Sequence, residues 1–265
     1  MDTDTVYCRN LLATYDYDRY ILSCGVQSAL RPALWAVYAF NHEIAKIRES
    51  VNDIHAGHIR LAWWHEALAA YRTGQPMPAH DVARALGRAI TTYHLPMDAL
   101  DALIDARTFD LDGTTPATLE GMACYADASN TPLLQLAAQI VGAPDTPETL
   151  KALGTAYGLC GLIRALPYMA SQKRCVLPAS MIYDIGLMPE QIDHLEPSSK
   201  LNTAIEQVCT RAQSQLTAAA AIHPLFKKHK KMTAFYLNRI ACAGYNPFDA
   251  HVVLPVPFLG LRLFF

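Results

Sequence analysis

Carboxylates recur at helical spacing in one stretch of the sequence: Asp98, Asp101 and Asp105, followed by Asp110 and Asp112. Steps of three and four put the first three on one helix face, an arrangement that suits a divalent cation and equally a solvated acidic surface. Glu49 and Asp53 form a second pair four residues apart, but Asn52 and His55-Ala56-Gly57 beside them have the character of a helix end, where a carboxylate caps. His55, His58 and His65 lie near His42-Glu43 without a His-Glu-x-x-His pattern, so half-buried or surface imidazoles explain them better than a metal. The sequence has no Gly-x-Ser-x-Gly turn, no cysteine in an electropositive motif and no Gly-rich phosphate loop.

Two further features bear on surfaces. Lys227-Lys228-His229-Lys230-Lys231 is a solvated basic face or a patch for anionic headgroups. From Val252 to Phe265 the chain carries one charge, Arg262, and fourteen residues are too few to span a bilayer as a helix. Such a tail packs inside the protein or lies against a bilayer or partner.

The elements that would position these groups are helices. Apolar residues recur at intervals of three and four almost everywhere, and alternating Val, Ile and Thr runs are missing, so the chain is predicted to be all-α. Helices are expected over Leu30 to Glu49, His58 to Tyr71, Ala79 to Tyr93, Pro96 to Phe109, Thr115 to Val141, Pro147 to Ala170, Ser199 to Ile222 and His223 to Ala243. Ser171 to Leu195 reads as a loop with short helical pieces. No break in composition divides the chain, so one domain over residues 1–265 is expected.

Composition narrows the class. Lys and Arg number 22 against 24 Asp and Glu, and 17% charged residues is low against about 25% in typical globular proteins. A basic nucleic-acid footprint is excluded as an expectation. With 52% apolar residues and a mean hydropathy of +0.10, the chain is too apolar for disorder. Seven scattered cysteines, odd in number and never in a Cys-x-x-Cys pair, argue for a reducing compartment. The acidic Met1-Asp2-Thr3-Asp4-Thr5 opening is neither a secretory signal nor a transit peptide, so a cytoplasmic protein is expected.

Several motifs then converge. Tyr38-Ala39-Phe40 with Arg31 ahead and Leu61, Trp63 and Trp64 behind, Gly158 to Arg164, and Lys173-Arg174-Cys175-Val176-Leu177-Pro178 together resemble the squalene and phytoene synthase family over most of the chain. That resemblance implies an isoprenoid-synthase-type helical bundle around a central apolar cavity. It also implies head-to-head joining of prenyl diphosphates, with Mg²⁺ held by two Asp-rich motifs that stabilise the leaving diphosphate.

Both motifs are altered here. Where the family has Asp-Asp-x-x-Asp stand Ala45-Lys46-Ile47-Arg48-Glu49, and where it has Arg-Asp-x-x-Glu-Asp stand Arg164-Ala165-Leu166-Pro167-Tyr168-Met169. Cations in place of carboxylates repel Mg²⁺ and attract anions. Pro167 would kink or end the helix where the family keeps it continuous. Phe40-Asn41, Arg48-Glu49-Ser50-Val51, Ile163 to Tyr168 and Leu254-Pro255 are similar to the family branch that implies assembly of respiratory complex I, the NADH dehydrogenase, at the inner membrane.

The expectation is therefore a non-catalytic protein with no cofactor and no resident metal. Its expected partners are respiratory-complex subunits or assembly proteins, with an isoprenoid or lipid as candidate ligand and peripheral membrane contact. A bacterial relative or a mature form, matrix-side if eukaryotic, fits the missing transit peptide. Arg31, Lys46, Arg48, Arg164, Tyr168, Lys173 and Arg174 are the candidate anion-binding residues, and Glu49, Asp53 and Asp110 the remnants of a catalytic site. The alternative is a Mg²⁺-dependent head-to-head prenyltransferase with a reorganised site built on those remnants.

Overall fold

The computed structural model describes residues 2–186 and 196–264, and among them every regular element is a helix. The chain forms two compact units that alternate along the sequence. One comprises Met1–Asp112, Pro132–Asp145 and Ile222–Leu225, and the other Gly113–Thr131, Thr146–Ala221 and Phe226–Phe265.

The first unit opens with α1 (Thr3–Tyr15) and α2 (Tyr17–Cys24), neither of which the apolar spacing predicts. Asp2 and Asp16 cap them, accepting from the backbone N–H groups of Thr5 and Arg19. Next comes α3 (Arg31–Lys46), with Pro32 in its first turn and every residue from Ala33 to Asn41 buried. A helix buried on all sides is a core helix, and α1 and α5 (Asp81–Tyr93) both pack on it. Phe40 of α3 meets Trp64 of α4 (Ile54–Arg72) edge-on, with ring centroids 5.0 Å apart.

Asp53 caps α4 by accepting from the His55 N–H at 3.0 Å. Packed against α4 is α6 (Met97–Asp112), and the carboxylates singled out by their spacing meet basic groups on α4. His65 lies between Asp101 at 3.2 Å and Asp105 at 3.0 Å, Arg72 bonds Asp98 and Asp101, and His58 lies 3.5 Å from Asp112. The acidic face thus joins two helices.

Buried Asp4 on α1 accepts from Arg84 (2.6 Å) and Arg88 (2.8 Å) of α5. The Arg84 hydrogen bond above all, with Arg88 helping, holds its carboxyl far below the usual carboxylate range. A depressed folded-state pKa adds stability above the unfolded value of about 4 and loses it as pH falls toward the folded value. Asp4→Asn is expected to cost about 1–2 kcal/mol at neutral pH and to flatten the acid limb of the stability profile. Urea unfolding of both proteins from neutral pH downward checks this; parallel acid limbs would contradict it.

The second unit contains the first part of α7 (Leu119–Val141), then α8 (Pro147–Ser171), α9 (Ala179–Asp184), α10 (Ser199–Ala218), most of α11 (Pro224–Cys242), α12 (Ala250–Val253) and α13 (Leu259–Phe264). Thr146 caps α8, which packs on α10 and α12. At Gly154 and Gly158 it comes so close to α7 that an added Cβ would lie 3.0 Å from the Thr131 backbone and 2.8 Å from the Ala126 carbonyl oxygen.

As the expected span of Pro147 to Ala170 requires, α8 runs through Pro167 to Ser171, and the helix end that Pro167 offered as an alternative to a kink does not form there. The proline lies close to the helix terminus and removes a single backbone bond, while Ile163, Leu166 and Ala170 keep that turn buried. The stretch expected as a loop with short helical pieces contains one, α9, and residues 187–195 of it lie outside those described.

Candidate functional site

The first altered motif lies at the end of α3, which stops at Lys46 rather than continuing to Glu49. The Glu49 and Ser50 N–H groups turn back to the Lys46 carbonyl, and Ser50 Oγ donates to the Ile47 carbonyl, closing the helix with a tight turn. In that turn Lys46 Nζ lies 2.6 Å from Glu49 Oε2. The one carboxylate left in the motif is thus countered by the cation that replaced another. Arg48 is half-buried, and its Nε has no hydrogen-bond partner among the described residues. Arg31 is occupied elsewhere, donating to the Cys24 and Val26 carbonyls and tying α2 to α3.

Asp110 lies in the same unit, on α6. Its Oδ2 is 3.4 Å from Arg107, whose other terminal nitrogen donates to Asn41 Oδ1 on α3 at 3.2 Å. Both charged side chains are nearly enclosed, at 12% and 11% exposed. Arg107 is absent from the sequence-based candidates because its role depends on a contact 66 residues away.

The other side of α3 faces a cleft of about 400 Å³ lined by Glu43, Lys46, Ile47, Ser50, Arg60, Trp63, Trp64 and His80. Trp63 and Trp64 meet edge-on at 4.9 Å, and His80 lies 5.6 and 5.7 Å from them. Burial raises the Glu43 carboxyl above its usual range, with His80 opposing. A carboxyl, two cations and an indole wall suit a small polar ligand. Among the expected site residues, Lys46 alone lines this cleft.

In the second unit Arg164 lies with its guanidinium 3.7 Å above the Tyr236 ring, a close cation–π contact. Tyr168, one turn further along α8, is half exposed. Lys173 takes a left-handed conformation with φ 55°, and the N–H groups of Lys173 and Arg174 bond the Ala170 and Met169 carbonyls to terminate α8. A groove of about 590 Å³ between α10 and α11 is lined mainly by Ser, Thr, Gln, Asn and Ala, with no acid or base among them.

Magnesium, implied by the family resemblance, does not suit the residues present. Lys46 and Ala45 stand where ligands would be, Glu49 is bound to Lys46, and the second motif contains no carboxylate. Among the described residues no group of three or more His, Cys, Asp or Glu is placed to hold a metal.

The helical architecture of the described residues is that of the isoprenoid synthases. A squalene synthase from Alicyclobacillus acidocaldarius superposes with a TM-score of 0.79 at 24% identity, covering 92% of this chain and 95% of that one. A dehydrosqualene synthase gives 0.82 at 17% identity, covering 98% and 93%. The chain belongs to the squalene/phytoene synthase family, whose sequence pattern it matches over residues 12–254. Among curated relatives, complex I assembly factor 6 of Bos taurus is 27% identical over 219 residues, which are 82% of this chain and 66% of that protein. The chain thus spans just under two thirds of that relative's length.

Proposed function

We propose that this protein is a non-catalytic member of the family that supports assembly of respiratory complex I. The observation that carries this is the Lys46–Glu49 pair in the position of one metal-binding motif, together with the absence of any carboxylate from the sequence of the second. Similarity to complex I assembly factor 6 supplies the process. Its partners are then respiratory-complex subunits or assembly proteins, and an isoprenoid or lipid is the candidate ligand. The protein acts peripherally at the inner membrane, on the cytoplasmic face or the matrix side; among the described residues no helix is long and apolar enough to cross a membrane.

The prenyltransferase alternative has less support, because each remnant carboxylate has a structural partner. Glu49 binds Lys46, Asp53 caps α4 and Asp110 faces Arg107.

Deleting the gene in its host should lower NADH:quinone oxidoreductase activity of the membranes severalfold. The wild-type gene and its Glu49→Ala variant should restore it equally. Purified protein with Mg²⁺ and farnesyl or geranylgeranyl diphosphate should give product only at background. Turnover at the rates of family enzymes, or a deletion strain with normal activity, would overturn the proposal.

A further inference from the structure

The last 42 residues carry six of the chain's 22 Lys and Arg but one of its 24 Asp and Glu, a local charge of +5 in a chain of net charge −2. The fold gathers four of these six cations, Lys228, Lys231, Arg239 and Arg262, onto a surface of the second unit, while Lys230 donates to the Ala219 carbonyl. Lys228, Lys231, Phe235 and Arg239 follow one another at helical spacing along α11. Arg239 Nε donates to the His251 carbonyl of α12 at 2.6 Å. Arg262 of α13 lies 5.7 Å from the Phe235 ring, and Lys228 lies 4.2 Å from the Phe264 ring.

Among these cations stand exposed apolar side chains. Leu259 and Leu263 are buried and anchor α13, so the residues between and before them point outward. Phe258 is 77% exposed, and Val253, Leu254 and Leu261 are at least half exposed. Pro255 and Pro257 are exposed in the same segment. Water alone gives no reason to display four large apolar side chains within nine residues. Apolar groups able to enter the headgroup boundary, ringed by lysine and arginine, match the interface of a bilayer bearing negative charge.

We propose that the surface formed by α11, α12 and α13 binds anionic lipid bilayers directly. Phe258, Leu254 and Leu261 enter the interface, and Lys228, Lys231, Arg239 and Arg262 contact the headgroups. This deepens the peripheral placement proposed above, and it is testable without any respiratory complex.

The experiment is flotation of the full chain with phosphatidylcholine vesicles, alone or with one third phosphatidylglycerol. Binding should require the anionic lipid, fall at high salt, and weaken about tenfold in Phe258→Ser/Leu261→Ser and in Lys228→Glu/Arg262→Glu. Arg9→Glu, on α1 of the first unit, where the side chain bonds only the exposed neighbour Asn10 among the described residues, should bind as wild type. Circular dichroism and thermal melts should match wild type for every variant used. Equal binding to neutral vesicles, undiminished binding by both double variants, or no binding at all would overturn the proposal. So would a dimer that Phe258→Ser/Leu261→Ser dissociates without any effect on lipid. Gene complementation reads the assembly role separately, so either proposal can fail alone.

Discussion

Gly158→Val is expected to leave the chain unfolded or insoluble, whereas Gly161→Ala, three residues along the same helix, should stabilise it. At position 158 a Cβ would lie 2.8 Å from both the Ala126 carbonyl oxygen and the Ala126 Cβ, and 2.7 Å from Asn130 Nδ2. Two of those atoms belong to the backbone or its first side-chain carbon, so neither can swing aside and α7 and α8 must separate. Alanine there should cost about 2–3 kcal/mol, and the two further carbons of valine raise this toward the chain's whole stability. Position 161 has open space around its Cβ, and replacing a mid-helix glycine by alanine there gains about 0.5–1 kcal/mol. Urea midpoints of Gly158→Ala and Gly161→Ala should move in opposite directions. Equal shifts would mean that α7 and α8 are not in close contact in solution.

Asp110→Ala is expected to destabilise the protein by roughly 3 kcal/mol, a structural loss at a position where the family resemblance suggests chemistry. Its carboxylate faces Arg107 in a nearly enclosed setting, and removing it leaves the buried guanidinium without the facing carboxylate, although its bond to Asn41 remains. Arg107→Ala should cost a similar amount. The double variant should lose clearly less than the sum, with a coupling of about 1–2 kcal/mol in urea unfolding. Strict additivity would show that the pair contributes nothing as a pair. A loss of function in Asp110→Ala that simply tracks its melting temperature would agree with a supporting role.

The core helices were legible in the sequence because their buried residues are apolar. The α3 segment is buried from Ala33 to Asn41, and no polar face interrupts the pattern. By contrast, α1 buries Asp4, Thr5, Cys8 and Leu12, a stripe at helical spacing whose polar members hide it from a hydrophobicity reading. Both Asp4 and Thr5 find hydrogen-bond partners, which is why they tolerate burial. The short α12 and α13 have too few residues to show a period.

The altered motifs were legible as well, since spacing from Tyr38-Ala39-Phe40 locates the first of them. What the sequence withheld was the partner of each group. Lys46 and Glu49 pair because α3 ends in a turn at Lys46, and a helix extended to Glu49 would hide that cause. Arg107 emerges only when α6 meets α3, and Glu43 matters only because Trp63, Trp64 and His80 come to its side of the helix.

The alternation of the two units along the chain has a consequence at the ribosome. The first unit receives 112 residues early and Pro132–Asp145 soon afterwards, but its last piece, Ile222–Leu225, is synthesised much later. At about 5–20 residues per second, roughly 6–23 seconds separate the end of α6 from the emergence of residue 225. Through most of that interval the nascent chain holds α3 and its neighbours without the last segment of their unit, while the opening segment of the second unit waits for its own. Neither half is completed in order of synthesis: the first unit closes only when Ile222–Leu225 emerge, after most of the second has been made.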